Sequence, residues 1–377
     1  MHTRWYNTSV NILFLTSSLA PHFGGAAFSE SALSSELSKK NQVTVLSRLN
    51  RVDPEFAKTQ GIGRVEAFRP IEVLIAYFFP FHRLAKAVSK ADIFHLNGHW
   101  YWENYFFARL CNKYRVPYVF HPRGMLWVGY RKPRIKKMFN VLLGNWIVAH
   151  AAKVIVLSEF EKEHCRPYPL KAENLVVVPN GIDSTDRSPT MSQSSQYFLY
   201  LGRIEPRKNL EFLIRAFKIF FDKNNSCALR LMGPVERKYD VRLRALIKKL
   251  SLENIVQFEE PKYGEEKNQV LRGAQAVIYP AFEEPFGRTV FEAFAAGTLC
   301  LVPEKSGGSE YVKKFVPEAI YESNSEVALA KKMEAILSLH QPIRSNWIQQ
   351  SQNWISKNLN WKAISNDVLE IYQQVLI

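Results

Sequence analysis

Tyr279-Pro280-Ala281-Phe282-Glu283-Glu284-Pro285-Phe286-Gly287-Arg288-Thr289-Val290-Phe291-Glu292-Ala293-Phe294-Ala295-Ala296-Gly297 holds a strand end, a loop and a helix in one short stretch. The apolar run Ala276–Tyr279 is strand-sized, and Pro280 closes it because proline has no N–H for a ladder. Gly287 and Thr289 open a helix that runs to Ala296, and Gly297 ends it. A helix N-terminus at a strand's carboxyl end offers free N–H groups and the positive end of a dipole, which suits an anion such as a diphosphate. Glu284 precedes that helix and Glu292 lies inside it. Carboxylates so placed accept hydrogen bonds from sugar or ribose hydroxyls. Two solvated glutamates beside a helix are the plainer alternative.

The same strand-then-helix alternation runs outward in both directions. Strand-like runs in the first half are Val10–Leu15, Val43–Leu46, Asp92–Leu96, Val116–Phe120, Val154–Leu157 and Leu175–Val178. In the second half they are Tyr197–Leu201, Ala228–Met232, Ile255–Phe258, Ala276–Tyr279 and Leu299–Val302. Apolar continuity without polar alternation predicts strands covered on both faces, as in parallel sheets. Between the halves, residues 184–196 are Ser, Thr, Gln, Asp and Pro with almost no apolar residue, a linker composition. At 377 residues the chain exceeds what one core usually serves. The expected fold is α/β: two Rossmann-like domains with parallel sheets facing across a cleft, ligands sitting beyond the carboxyl ends of the strands.

Composition narrows the class. The apolar fraction is 47% and the charged fraction 23%, which excludes wholesale disorder. The apolar stretch Val73 to Phe81 falls well short of the roughly 20 residues a spanning helix needs. Cys111, Cys165, Cys227 and Cys300 lie far apart with no C-x-x-C pairing, so neither a disulfide framework nor a zinc site is expected, and a reducing cytoplasm is. Of the net charge of +15, residues 1–180 carry +12 (24 Lys/Arg against 12 Asp/Glu). A basic half suits an anionic partner, with a solubilising surface as the alternative. Nucleic acid is not expected, since no zinc-finger spacing, RNP-like motif or basic heptad region is present.

Further motifs sit at other strand ends. Tyr200-Leu201-Gly202-Arg203-Ile204-Glu205-Pro206-Arg207-Lys208-Asn209 follows a strand, and Arg203 and Lys208 project there as two cations able to stabilise a departing diphosphate. Arg207 is expected to be solvated, and Asn209 to cap the next helix. Leu231-Met232-Gly233-Pro234 ends the neighbouring strand. In the first half, Phe23-Gly24-Gly25-Ala26 opens a helix and lets backbone approach a phosphate, without being a G-x-G-x-x-G. His95-Leu96-Asn97-Gly98-His99 and Phe120-His121-Pro122-Arg123-Gly124 end two more strands; His95 reads as packed, whereas His99 can reach a second substrate. Arg131, Lys132, Arg134, Lys136 and Lys137, with the aromatic stretches Tyr77–Phe81 and Trp100–Trp102, compose a surface suited to anionic lipid. No D-x-D metal motif occurs.

The Glu284/Glu292 spacing, Arg203 with Lys208, and Val178-Pro179-Asn180-Gly181-Ile182-Asp183 together resemble glycosyltransferase family 4, a GT-B group. Gly307-Gly308-Ser309-Glu310 resembles its G-G-x-x-E segment with one residue fewer. The resemblance implies a retaining, nucleotide-sugar-dependent hexosyltransferase active in polysaccharide synthesis, with UDP-glucose the commonest donor. It implies that Glu284 contacts the donor sugar, Glu292 the ribose, and Phe286, Gly287, Arg288, Thr289, Gly233, Gly24 and Gly25 the donor's phosphates and surroundings. Arg203 and Lys208 would make a metal ion unnecessary, so no cofactor is expected. His121 or Arg123 stands at the reacting sugar, and His99 and Arg123 face a glycan or polyprenyl-linked acceptor, with peripheral membrane contact at the inner face. The implied domains are 1–183, joined by a returning C-terminal helix at 361–377, and 184–360. A GT-B epimerase or phosphorylase, and a non-catalytic sugar-binding protein, are the alternatives.

Overall fold

The computed structural model describes residues 9–129, 132–183, 196–224, 226–236 and 238–377. Arg131 and nearly all of the expected linker, residues 184–195, lie outside the described residues. The chain divides into two compact units, Met1–Gly181 with Trp361–Ile377, and Ile182–Asn360.

Among the described residues the first unit holds a seven-stranded sheet. Its strands are β1 (Asn11–Leu15), β2 (Gln42–Arg48), β3 (Val65–Phe68), β4 (Ile93–Asn97), β5 (Tyr118–His121), β6 (Lys153–Val156) and β7 (Leu175–Val177), ordered β3-β2-β1-β4-β5-β6-β7. The second unit holds β8 (Tyr197–Leu201), β9 (Ala228–Met232), β10 (Val256–Glu259), β11 (Ala276–Ile278), β12 (Cys300–Pro303) and β13 (Ile320–Tyr321), ordered β10-β9-β8-β11-β12-β13. Every pairing is parallel. Each of the eleven strands expected from sequence is present, shifted by two residues at most. The two that the sequence does not announce are both edges. β3 is a half-buried four-residue strand with Glu66 inside it, and β13 is two residues long.

Alternation in β1 explains the two-sided core. Leu13 and Leu15 pack with Phe94, Leu96 and Phe120 on one face. Ile12 and Phe14 pack with Ile93, Val119 and Ile155 on the other. Helix Trp361–Leu376 completes that second face with Ile364, Val368, Ile371 and Tyr372, all buried. Each such side chain contributes roughly 1.5–3 kcal/mol of burial free energy.

Both sheets share one topological feature. The chain begins at β1, adds β2 and β3 on one side, then crosses to β4; it likewise runs β8, β9, β10, then crosses to β11. The strand order therefore reverses between β1 and β4 and between β8 and β11, and the carboxyl ends of strands at such a reversal are where open parallel sheets bind ligands. The motifs of interest lie at these two places.

Candidate functional site

In the second unit the loops after β8 and β11 are bound together by charge. Lys208 ends a 3-10 turn, Pro206–Lys208, and its Nζ donates to Glu284 Oε2 at 2.7 Å. Arg207 Nη2 donates to the same oxygen at 3.1 Å. Arg207 is thus an ion-pair member and not the solvated side chain expected. The turn that presents Lys208 presents its neighbour to the same carboxylate, and the sequence has no signal that separates the two. Asn209 stands at the head of the helix Leu210–Asn224, its carbonyl accepting from the Leu213 N–H at 3.3 Å, and its Nδ2 donates to Pro280 O at 3.4 Å, a further tie between the two loops. Arg203 is exposed and stands 3.3 Å from Glu205.

Burial opposes the Glu284 charge, yet Lys208, Arg207 and Arg203 outweigh it and hold the carboxyl down at about 2. Glu284 is therefore ionised at any physiological pH. Three cations (Arg203, Arg207, Lys208) meet two carboxylates (Glu205, Glu284), which leaves a positive surplus at the strand ends.

The helix after this loop is Arg288–Ala295, with Gly287 as its N-cap at φ +73°. A Cβ at Gly287 would stand 2.9 Å from the Tyr279 ring, so the position needs glycine twice over, for its φ and for the space. Gly307 N–H donates to Glu284 O at 2.9 Å and holds the loop from the other side. Phe286 is buried and Thr289 half-buried. The Arg288 side chain is committed to Glu292 and Asp183, each at 2.7 Å. Lys267 also reaches Glu292 at 3.2 Å. Burial opposes the Glu292 charge, but Arg288 and Lys267 prevail and hold it below the usual carboxylate range. The Arg288 guanidinium thus fixes Glu292. Gly233, at the end of β9, lies against β8: a Cβ there would meet Gly202 O at 2.1 Å.

The strand ends of the first unit differ in character. Gly24, at φ +76°, caps the helix Gly25–Ser38. Glu30 of that helix accepts from the Ser17 N–H at 2.6 Å and the Ser17 hydroxyl at 2.9 Å. Burial raises its carboxyl to about 6, against the pull of Arg123 and Ser17. Arg123 adopts φ +56°, and donates from Nε to Asn97 Oδ1 at 3.0 Å and from Nη1 to Asn180 Oδ1 at 2.5 Å. Its Nη2 has no hydrogen-bond partner among the described residues. Burial lowers the guanidinium to about 10, opposed by Glu30, Glu161 and Tyr372.

His121 is buried at the end of β5, and neither ring nitrogen has a partner among the described residues. Burial, then Arg123 and His95, hold it neutral, well below the usual histidine range. His95 is the packed strand residue expected, bonded through Nδ1 to the Tyr372 hydroxyl at 2.7 Å. His99 is a correction. It is fully buried, its Nε2 lies 2.8 Å from Asn140 Oδ1, and burial brings it down to about 4, so it does not reach a substrate from the surface. A histidine two residues past a strand end carries no sequence mark that tells core from site. Trp100–Trp102 is likewise mostly spoken for: Lys136 Nζ lies 5.0 Å over Trp100, and the Arg48 guanidinium 4.7 Å over Tyr101. Phe78, Phe79 and Phe81 are exposed as expected.

The sequence candidates thus fall into groups. Arg203, Lys208, Glu284, Gly287 and Thr289 gather at the ends of β8 and β11, beside Gly233 at the end of β9. His121 and Arg123 gather with Glu30 in the first unit. Asn97 and Asn180, which accept from Arg123, lie in two of the motifs without being singled out there, and Glu30 lies in none. They come from three distant segments that only the sheet order unites.

Comparison with known proteins gives two adjoining family matches. The model described as "Glycosyltransferase Family 4" matches residues 23–186, and that described as "Glycosyl transferases group 1" matches residues 182–354. An uncharacterized glycosyltransferase of Methanocaldococcus jannaschii is 24% identical over 311 residues, 76% of this chain and 78% of that protein. A D-inositol 3-phosphate glycosyltransferase of Actinosynnema mirum is 28% identical over 171 residues, 40% of this chain and 41% of its own length. Among solved structures, Anabaena HepE in complex with UDP and glucose has a TM-score of 0.77 at 20% identity, covering 97% of this chain and all of that one. That likeness shows the two-domain GT-B fold.

Proposed function

The chain belongs to the family 4 and group 1 glycosyltransferases, and on that premise we propose that it transfers a hexose from a nucleotide-diphosphate sugar with retention and without a metal ion. The observation that carries this reading is the Glu284 carboxylate held ionised between Lys208 and Arg207, next to the start of helix Arg288–Ala295. As the bond between the sugar's anomeric carbon and the phosphate oxygen breaks, its electron pair passes to the diphosphate. Lys208, Arg203 and the amides at Arg288 and Thr289 meet that growing negative charge. Glu284, fixed by two cations, accepts hydrogen bonds from donor-sugar hydroxyls, and Glu292, fixed by Arg288, accepts from the ribose. Cationic side chains in place of a metal support a mechanism that needs no cofactor.

On a front-face path the acceptor oxygen bonds the anomeric carbon from the side the phosphate leaves, and a phosphate oxygen takes the acceptor's proton. No side-chain base is required. In the first unit, His121, neutral, and Arg123, whose Nη2 has no partner among the described residues, are the candidates for hydrogen bonds to substrate, and Gly24 and Gly25 for backbone contact with a phosphate. A relative solved with UDP and glucose supports UDP-glucose as the donor.

The acceptor in this reading is a glycan or polyprenyl-linked sugar of polysaccharide synthesis, met at the inner face of a membrane. Support comes from helix Pro133–Phe139 and the wider turn Asn140–Gly144 that continues it. These expose Ile135, Met138, Val141 and Leu142 beside exposed Lys132, Arg134 and Lys137. Among the described residues no helix is long and apolar enough to cross a membrane. The test of the donor site is thermal unfolding with UDP, GDP and other nucleotides in EDTA. UDP or GDP raises Tm with EDTA present, and Arg203→Ala abolishes the rise. Stabilisation that appears only with Mg²⁺ overturns the metal-free mechanism.

A further inference from the structure

We propose that Arg207 is a positioning residue of the donor site: it stays on Glu284 as the fixed counter-ion of that carboxylate while Lys208 is drawn to the diphosphate. This deepens the donor-site reading and rests on it. Lys208 and Arg207 both bond Glu284 Oε2, at 2.7 Å and 3.1 Å. The ammonium that the reading assigns to the leaving diphosphate is thus the one that also neutralises Glu284. An ammonium is a compact charge with three donors on a flexible stem, so it can turn to a second anion. Once it does, Glu284 and the diphosphate are like charges in one site, and they repel unless a further cation stays on the carboxylate. Arg207 is in place to do so.

Local structure keeps Arg207 where this role needs it. Pro206–Lys208 is a 3-10 turn with proline at its start. The Lys208 N–H donates to Glu205 O at 2.9 Å and the Asn209 N–H to Pro206 O at 3.1 Å. Asn209 Nδ2 ties the same turn to Pro280 O at 3.4 Å. The Arg207 side chain is 29% exposed, so water screens its bond to Glu284 only in part. Glu284 foremost, and Glu205 behind it, raise the Arg207 guanidinium against the pull of burial. A guanidinium is planar, with its donors in a fixed fork, and it orients a carboxylate more firmly than an ammonium does. Arg203, the third cation, is exposed and stands 3.3 Å from Glu205, leaving Arg207 and Lys208 as the two that bond Glu284.

The experiment is titration calorimetry with UDP in EDTA on the full chain, arranged as a double-mutant cycle. Arg207→Met and Lys208→Met are each measured alone and together with Glu284→Gln, and a cooperative thermal transition checks that every variant is folded. Beside an intact Glu284, Arg207→Met should weaken UDP about tenfold or more; in the Glu284→Gln background its effect should stay within about threefold. Lys208→Met should weaken UDP about tenfold or more in both backgrounds, because its contact with the diphosphate is lost whatever stands at 284. Arg207→Lys keeps the charge and should bind UDP within about threefold of wild type. A purely structural role for Arg207 would not follow the charge at 284. If Arg207→Met folds only together with Glu284→Gln, that rescue is the same coupling and supports the proposal. An equal loss on Arg207→Met in both backgrounds would make Arg207 a phosphate ligand and overturn it, as would unchanged binding beside Glu284, or Arg207→Lys binding as weakly as Arg207→Met. Wild type that does not bind UDP, or Lys208→Met that binds it as wild type does, would break the donor-site reading itself, and this proposal with it.

Discussion

The strand-end clusters of the two units occupy matching places in matching sheets and have opposite electrostatics. After β8 and β11, cations surround Glu284 and push its carboxyl down to about 2. After β1, β4 and β5, burial dominates: Glu30 rises to about 6, Arg123 falls to about 10 and His121 is neutral. The first cluster is a charged surface with a positive surplus, fit for a diphosphate. The second is a nearly neutral hydrogen-bonding wall, fit for hydroxyls. Net charge alone misleads here. The first half of the chain holds +12 of the +15, yet the arrangement suited to an anion is in the second half. Fold position decides where the two clusters lie, and the side chains gathered there decide their charge.

The largest expected effect breaks the contrast at its charged end. Lys208→Ala removes the cation closest to Glu284 and should lower glycosyl transfer by about 10²–10³-fold, the usual loss for one preorganised donor to a developing anion. UDP release from UDP-glucose in the presence of acceptor measures it; a loss of less than threefold (roughly 0.7 kcal/mol) would show that the diphosphate is not held there.

Acid sensitivity gives the next two, with opposite signs. The Glu284 carboxyl is depressed in the folded chain, so its ion pairs contribute stability in full above about pH 5, and that contribution is lost as pH falls toward about 2. Urea unfolding of Glu284→Gln should be weaker at neutral pH by on the order of 3 kcal/mol and should show a flatter acid limb. Glu30 is raised, so the folded chain holds its proton longer than the unfolded one does. Its burial therefore costs stability as pH rises from about 4.5 to about 6. Glu30→Gln should remove that cost, on the order of 2 kcal/mol, and flatten the slope in that window. Parallel pH profiles for the two variants would erase the contrast between the clusters.

The smallest effect concerns the outer surface. Val141→Glu with Leu142→Glu exchanges two exposed apolar side chains beside Lys132, Arg134 and Lys137 for carboxylates. Partition onto vesicles containing phosphatidylglycerol should fall about tenfold or more, with the UDP-induced shift in Tm retained. Unchanged partition would assign the basic excess of the first half to solubility.

Interior strands were legible because burial on both faces writes an apolar run into the sequence. Of the four edges, β7 and β10 kept an apolar run, whereas β3, with Glu66 inside it, and β13, two residues long, did not, because an edge needs neither length nor continuity. The second-unit site was legible for a similar reason. Gly287, Glu284, Arg203 and Lys208 lie in two short loops next to strands that pair, so local motifs already hold most of the geometry. The first-unit cluster draws Glu30, Asn97, Arg123 and Asn180 from separate segments, and the Arg48–Glu103 pair spans 55 residues. Local motifs hold Asn97, Arg123 and Asn180 one at a time, but nothing local shows that they meet, and Glu30 lies in no motif at all. His99 shows the converse, a motif-like histidine that the fold uses for packing.

The most direct test is a crystal structure of the chain grown with UDP in EDTA. The β-phosphate should sit against Lys208 Nζ and the Arg203 guanidinium, with its oxygens facing the amides of Arg288 and Thr289. A diphosphate bound away from those groups, or one that appears only when a divalent cation is added, would contradict the account.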